Sequence, residues 1–149
     1  MDDIDRALLG ALVQDARTSY ADLARQVGLS APSVHDRVRK LERDGVLRGS
    51  SADVDPRAVG LGVSALVGLH QREGVDADEI VASLRDVPEV EDCWFVAGDE
   101  AFVVKVRVAD LDDLDGTLRV LRQVPGVTRT RTTVVLSTGF EGRRRVPSA

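Results

Sequence analysis

Two similar segments, 37 residues apart, constrain the fold of the second half of the chain most strongly. Val87–Val90 has the sequence Val-Pro-Glu-Val, and Val124–Val127 has the sequence Val-Pro-Gly-Val. Each segment follows an amphipathic helical pattern and precedes a run of alternating apolar residues, so each is expected to join a helix to a strand. Two strand–helix–strand units in tandem predict a ferredoxin-like βαββαβ sandwich, which is an α+β fold.

Several strands of this predicted sandwich are apolar on both faces. Helices are expected to follow Asp76 and Asp110, two N-cap candidates, and in a βαββαβ fold both helices cover the same face of the sheet. The other face would be left as an apolar surface, and the rest of the chain is too small to cover it. The sequence therefore predicts a homodimer in which a second copy covers that face.

The first third of the chain has a different pattern, typical of three short amphipathic helices. Apolar residues recur every four positions from Ile4, and Ser19 and Ser30 are N-cap candidates for the second and third helices. Gly28 is suited to end the second helix in a left-handed conformation, and Gly45 ends the third. Two helices joined by a short turn after a leading helix predict a helix-turn-helix domain.

These patterns divide the chain into four parts. We expect a helix-turn-helix domain over residues 1–50, a linker strand or hinge over residues 51–62, the sandwich over residues 63–138 and a tail over residues 139–149. Within the linker region, residues 46–53 are predicted to form either a strand or an extended segment.

The outer face of the third helix is the candidate DNA-binding surface. On a 3.6-residue period, its apolar residues form one stripe, and polar and basic residues lie opposite. Short polar groups near a helix start suit base edges, and later cations suit phosphates. A solvated helix with ordinary salt pairs shows a similar pattern, but the three-helix context favours DNA binding. Arg37 lies nearer the core edge, where a structural role is equally compatible. The predicted contact residues are Ser30, Pro32, Ser33, His35, Asp36, Arg37, Arg39, Lys40 and Arg43.

Charge and composition limit the other functions. The chain has 20 basic and 25 acidic residues, and its whole acidic excess lies after residue 50, which excludes a uniformly basic nucleic-acid coat. A single cysteine, Cys93, excludes an intrachain disulfide and a multi-cysteine zinc site. His70 has no partner suited to catalysis, and Cys93 and Trp94 are interpreted as packing residues. No cofactor or metal is expected.

Two further features concern location and the end of the chain. The longest uncharged run, 14 residues, is too short to span a bilayer, and the acidic amino terminus lacks the pattern of a signal peptide. We therefore expect a cytoplasmic protein that does not bind membranes. The tail contains Arg143–Arg145, which is interpreted as a solvated end in preference to a nucleic-acid arm.

Several short motifs resemble one known family, in order and at family-like spacing from about residue 2 to about residue 138. In the first half these are Asp5, Leu8-Leu9, Leu12, Asp22-Leu23-Ala24, Val27-Gly28-Leu29-Ser30, Arg37-Val38, Leu41-Glu42 and Gly45-Val46. In the second half they are Gly60, Pro88-Glu89-Val90, Gly98, Pro125-Gly126-Val127, Thr132 and Val135-Leu136. The chain thus resembles the Lrp/AsnC transcription regulators.

The resemblance implies a winged-helix-like helix-turn-helix domain that binds double-stranded, near-palindromic DNA. It also implies a sandwich that dimerises, assembles into species as large as octamers, and binds an amino-acid-like effector near the turn after the second strand. The family commonly has Gly-x-x-Asp at this turn, whereas Ala101 stands here in place of the Asp, which predicts a shifted or weakened ligand preference. The candidate effector residues are Gly98, Asp99, Glu100, Ala101 and Thr132.

Two alternatives from other functional classes stay open at this point. Siroheme-type decarboxylases resemble the same family in both halves, but they need basic side chains and histidines to converge on a tetrapyrrole. In this chain, the second half contains only His70. The other alternative is a ligand-binding module whose helix-turn-helix no longer binds DNA.

Overall fold

The structure, a computed structural model, describes residues 1–147 and divides them into two compact units. Of these residues, the first unit contains Met1–Asp53 together with residues 140–147, and the second contains Val54–Gly139. The structure therefore divides the predicted linker between the two units. It groups the predicted tail with the helical unit from residue 140 to residue 147, while Gly139 belongs to the second unit and the last two residues lie outside the described part of the chain.

Three helices form the first unit: α1 (Asp3–Gln14), α2 (Tyr20–Val27) and α3 (Ala31–Arg43). Side chains cap all three at their start. Asp2 forms a reciprocal capping box with Asp5, and the hydroxyl groups of Ser19 and Ser30 accept hydrogen bonds from the next turn of α2 and α3. The predicted helix-turn-helix is confirmed.

A small apolar core holds these helices together. Leu8 of α1, Leu23 of α2 and Val34 of α3 are completely buried in it. The turn between α2 and α3 is short because Gly28 adopts φ +69°, a left-handed conformation that ends α2 without steric cost. This turn fixes the direction in which α3 leaves the domain core.

No strand forms over residues 46–53, so the strand alternative for this segment is wrong and the segment is irregular. Leu47 packs against the helical core, which anchors the chain by one side chain. A strand needs a neighbour to satisfy its backbone groups, and none of the strands in residues 1–147 pairs with this segment. A short 3₁₀ helix, Arg57–Val59, follows it.

The second unit confirms the ferredoxin-like prediction. Its elements are β1 (Val63–Gln71), α4 (Ala77–Arg85), β2 (Val90–Phe95), β3 (Phe102–Val108), α5 (Leu111–Gln123) and β4 (Val127–Val135). The strands form one antiparallel sheet in the order β2-β3-β1-β4. The two Val-Pro segments lie where predicted, between α4 and β2 and between α5 and β4.

Strand alternation separates two faces of this sheet. One face packs with Ile80 and Leu84 of α4 and with Leu114 and Leu121 of α5 to form the core. We call the other the open face, because neither helix covers it. Its residues alternate with the core residues and include Leu66, Gly68, Trp94, Val103, Lys105, Arg107, Arg131 and Thr133.

Candidate nucleic-acid interface and effector site

α3 begins directly after the tight turn at Gly28, and Ser30 and Pro32 are residues suited to a helix start. The hydroxyl of Ser30 accepts a hydrogen bond from the backbone N–H of Ser33 at 3.4 Å and lies 2.8 Å from the Ser33 hydroxyl. Pro32 stands in the first helical turn, where its missing N–H costs nothing. All three side chains are exposed, so the first turn presents small polar and apolar groups to solvent.

The cations of α3 lie on its outer face. Val34, Val38 and Leu41 are buried, and the residues opposite them are exposed, as the helical period predicted. Within residues 1–147, no carboxylate lies at ion-pair distance from the side chains of Arg39 or Lys40. The same holds for Arg43, also exposed. The alternative interpretation of this face, a solvated helix with ordinary salt pairs, therefore does not account for these three cations.

Arg37 is placed differently from the other cations. One terminal nitrogen of its guanidinium group, Nη1, lies 2.8 Å from Asp2 Oδ2 and 2.8 Å from Asp5 Oδ1. The Asp5 backbone N–H, with a further contribution from Arg37, lowers the pKa of the Asp2 carboxyl. These contacts tie α3 to the start of α1, so the geometry favours the structural alternative for Arg37.

His35 also contacts another helix. Its ring meets the ring of Tyr20, the first residue of α2, edge to face, with centroids 5.2 Å apart and planes at 78°. Its Nδ1 lies 3.8 Å from Asp36 Oδ1. His35 is half-buried and Asp36 is exposed, so His35 contributes to the packing of α2 on α3 while Asp36 remains on the outer face.

The turn between β2 and β3 carries most of the predicted effector residues. It is closed by two hydrogen bonds: Val96 N–H donates to the Ala101 carbonyl, and Ala101 N–H donates to the Leu69 carbonyl, both at 2.9 Å. Ala101 is half-buried and packs against the sandwich core. The Ala101 N–H already donates to the Leu69 carbonyl, and its methyl side chain has no polar atom. Ala101 therefore offers a ligand neither a free N–H donor nor a side-chain acceptor. Gly98 and Asp99 remain exposed in the same turn.

Glu100 leaves this turn across the open face of the sheet. Its side chain lies over Gly68 of β1, and its Oε1 reaches Arg131 Nε of β4 at 2.6 Å. The Glu100 side chain is 13% exposed, whereas that of Arg131 is 68% exposed. The structure thus joins a shielded carboxylate to an accessible guanidinium. Sequence reasoning missed Gly68 and Arg131, although a glycine inside an apolar strand is itself a signal of close approach.

Thr132 does not join this pair. It lies opposite Val67, a core residue, while its neighbour Arg131 lies opposite Gly68. Successive residues of a strand point to opposite faces, so Thr132 points toward the helix-covered side of the sheet. Within one chain, a ligand held by Glu100 on the open face would meet Arg131 in place of Thr132.

The other candidate residues show no second site. Cys93 is half-buried against the core, and burial raises the pKa of its thiol. In the part of the chain that the structure describes, no group of three His, Cys, Asp or Glu side chains is arranged to hold a metal ion. No helix among these residues is long and apolar enough to cross a membrane.

Comparison with known proteins assigns the helical part and the sandwich to two different family models. Residues 1–42 match the AsnC-type helix-turn-helix domain, and residues 63–144 match the Lrp/AsnC ligand binding domain. The HTH-type transcriptional regulator LrpA of Mycobacterium tuberculosis is 41% identical over 99% of this chain and 97% of its own length. The regulatory protein AsnC of Escherichia coli K12 is 31% identical over 91% of this chain and 90% of its own.

Solved structures are similar over the same length. The crystal structure of M. tuberculosis LrpA has a TM-score of 0.90, covering 99% of this chain and all of that one. A feast or famine regulatory protein from M. tuberculosis, complexed with L-methionine, has a TM-score of 0.92 at 41% identity, covering 98% and 99%.

A helix-turn-helix unit and a ferredoxin-like ligand-binding unit together define an effector-responsive DNA-binding regulator. The chain belongs to the Lrp/AsnC family of transcriptional regulators. Its relatives are regulators and not enzymes, which sets the siroheme-decarboxylase alternative aside.

Proposed function

We propose that this chain recognises a specific operator through the outer face of α3, with the first turn of α3 and Arg39 at base edges and the later cations Lys40 and Arg43 at phosphates. The observation that carries this proposal is the set of exposed cations Arg39, Lys40 and Arg43, which have no carboxylate partner among residues 1–147, on a helix capped by Ser30. Ser30, Pro32, Ser33 and Asp36 complete the proposed contact surface. Arg37 and His35 then act mainly by positioning α3.

Single substitutions on α3 test this assignment. Arg39→Ala is expected to weaken binding to the operator by about 1–3 kcal/mol and to relax its sequence preference, because a base contact is lost. Arg43→Ala is expected to weaken all DNA alike and to flatten the salt dependence, because a phosphate contact is lost. Fluorescence anisotropy with DNA from the gene's own upstream region, against scrambled DNA, measures both effects.

Arg85→Ala is the matched control, since Arg85 is an exposed arginine in the last turn of α4, in the other unit. It should leave affinity and preference unchanged. If the unmodified protein binds no DNA from its own upstream region at low salt, DNA recognition by this chain is refuted. If Arg39→Ala binds like the unmodified protein, the assignment of α3 is refuted while DNA binding itself stands.

We further propose a cytoplasmic homodimer formed through the open face of the sheet, able to assemble further up to an octamer. Apolar side chains remain accessible on this face, with Leu66 40% exposed and Trp94 46% exposed. A second copy with the same face would bury them. Two recognition helices related by a two-fold axis would then meet half-sites about 34–36 Å apart, or a multiple of this, on a near-palindromic operator.

We also propose an amino-acid effector site at the β2–β3 turn, made by Gly98, Asp99 and Glu100 together with Arg131. A free amino acid is a zwitterion: its ammonium needs acceptors such as the Glu100 carboxylate, and its carboxylate suits the Arg131 guanidinium. The complex of a similar protein with L-methionine supports an amino acid as the ligand class. The Ala101 methyl and the Thr132 hydroxyl have no direct contact in this arrangement.

Gly68→Ala tests this site without touching a charged group. A Cβ at position 68 would lie 2.6 Å from Glu100 Cγ and 2.9 Å from Glu100 Oε1, so the flexible Glu100 side chain has to move away from Arg131. We expect about a 10- to 100-fold weaker affinity for L-methionine or the best amino acid of a panel, since a charge-assisted contact contributes about 1.5–3 kcal/mol. Isothermal calorimetry measures it.

Gly62→Ala is the control for this experiment, because a Cβ there would meet only the Ala109 carbonyl at an ordinary 3.4 Å. Its affinity should match that of the unmodified protein. Equal affinities for Gly68→Ala and the unmodified protein would place the effector away from Glu100. No heat with any amino acid of the panel would refute amino-acid sensing itself.

A further inference from the structure

The end of the chain carries a concentration of positive charge that the recognition helix does not explain. Residues 1–53 contain nine acidic and eight basic side chains, a net charge of −1. The segment that the structure groups with them, from residue 140 onward, adds three arginines and one glutamate. The helix-turn-helix unit therefore has a net charge of +1 only because of this segment, whereas residues 54–139 carry 15 acidic and nine basic side chains, a net charge of −6.

The three arginines of this segment are accessible. Arg143, Arg144 and Arg145 are all exposed, and no carboxylate among residues 1–147 lies within ion-pair distance of their guanidinium groups. The Arg143 guanidinium lies over the Phe140 ring, 5.9 Å from its centroid, in a cation–π arrangement. Three adjacent cations with no carboxylate partner among residues 1–147 are suited to a polyanion outside the chain.

The backbone of this segment has no regular secondary structure. Residues 140–147 contain no helix or strand, and glycines stand at positions 139 and 142 on either side of Phe140. Adjacent arginines on an irregular backbone can reach successive phosphates of a duplex, which lie on a regular path of negative charge, and such contacts need no particular base sequence. An acidic protein surface offers a less regular and weaker charge density.

We propose that Arg143–Arg145 form a second DNA-contacting element, which binds backbone phosphates of the duplex independently of sequence while α3 reads the bases. This inference rests on the proposed DNA binding through α3. The tail would increase affinity for operator and scrambled DNA alike, and it would offset the net negative charge of the remaining chain as the protein approaches DNA. The three arginines thus become a binding element in place of the solvated end that the sequence pattern favours.

The test is the salt dependence of DNA binding by the triple variant Arg143→Gln, Arg144→Gln, Arg145→Gln. Three phosphate contacts contribute about 2.7 per protomer to the slope of log K against log salt, so between 50 and 200 mM salt the unmodified protein should lose about 40-fold more affinity per bound protomer than the variant. The loss should be equal for operator and scrambled DNA. Replacing the same three residues with lysine should retain the slope, because lysine also binds phosphate.

A control variant and a sedimentation measurement distinguish this proposal from a net-charge effect and from self-association. Arg85→Gln, Arg119→Gln, Arg122→Gln removes the same charge from exposed helix positions of the second unit and should leave the slope nearly unchanged. An equal change of slope in both triple variants would mean that net charge alone acts, and an unchanged slope in the tail variant would overturn the proposal. If the tail variant changes only the sedimentation of the free protein, the arginines bind another copy of the chain and not DNA. Failure of the unmodified protein to bind any DNA refutes the α3 proposal instead.

Discussion

Leu66→Lys is expected to convert the protein to a monomer and to lower its operator affinity by about 100- to 10,000-fold. Leu66 lies on β1, which stands between β3 and β4 in the sheet. On the open face its neighbours are Lys105 of β3 and Thr133 of β4. Lys105 is already paired with Glu91, so a lysine at position 66 would bring an additional ammonium without a matching carboxylate into the proposed dimer interface, where burial of such a charge is strongly unfavourable.

The size of the effect on DNA follows from linkage of the two recognition helices. When one helix of a dimer is bound, the other meets its half-site at a high effective concentration, and a monomer loses this gain. Analytical ultracentrifugation at micromolar concentration measures the dimer, and anisotropy measures operator affinity.

Val120→Lys is the matched control, because Val120 is an apolar residue of α5 with a similar exposure, 48% against 40% for Leu66, on the helical side of the unit. Its dimerisation and DNA binding should be unchanged. A Leu66→Lys protein that remains a dimer would show that the open face is not the interface. Far-UV circular dichroism distinguishes a folded monomer from an unfolded chain.

Local patterns in the sequence were sufficient to predict the fold. The Val-Pro segments between helix and strand, the serine and aspartate N-caps and Gly28 all act through their nearest neighbours in the chain, so their effect is visible in sequence. The exception was residues 46–53. Whether an extended segment becomes a strand depends on a partner strand, and no local pattern supplies that information.

The contacts of the candidate sites were harder to predict because they depend on register. Glu100, in the turn before β3, reaches Arg131 of β4 across β1, where Gly68 has no side chain to block the Glu100 side chain. Arg37 is similar: its partners Asp2 and Asp5 lie more than 30 residues away in the chain. A sequence pattern indicates that Arg37 is near the core edge, but it does not indicate which carboxylates contact Arg37 there.

Gly126→Ala is expected to destabilise the second unit by about 2–5 kcal/mol. Gly126 has φ +92°, in a region that L-residues rarely adopt, which costs about 1–3 kcal/mol. Its Cβ would also lie 2.7 Å from Val75 Cγ1 and 3.1 Å from Ile80 Cδ1. Ile80 is completely buried, so it cannot move without disturbing the core, and overpacking of this kind costs about 1–3 kcal/mol. Urea unfolding of the full chain at fixed protein concentration measures the change.

The expected result depends on the junction and not on alanine itself. Gly116→Ala, in the middle of α5, meets no atom within 4 Å and should raise stability by about 0.5–1 kcal/mol, because alanine favours the helix. The first Val-Pro junction has Glu89 where the second has Gly126, and none of the non-glycine residues in residues 1–147 has positive φ. The two junctions therefore make the same helix-to-strand connection with different backbone conformations. An unfolding midpoint for Gly126→Ala equal to that of the unmodified protein would mean that the second junction can adopt the conformation of the first, with negative φ, and that the close approach of Gly126 to Val75 and Ile80 is not required for stability.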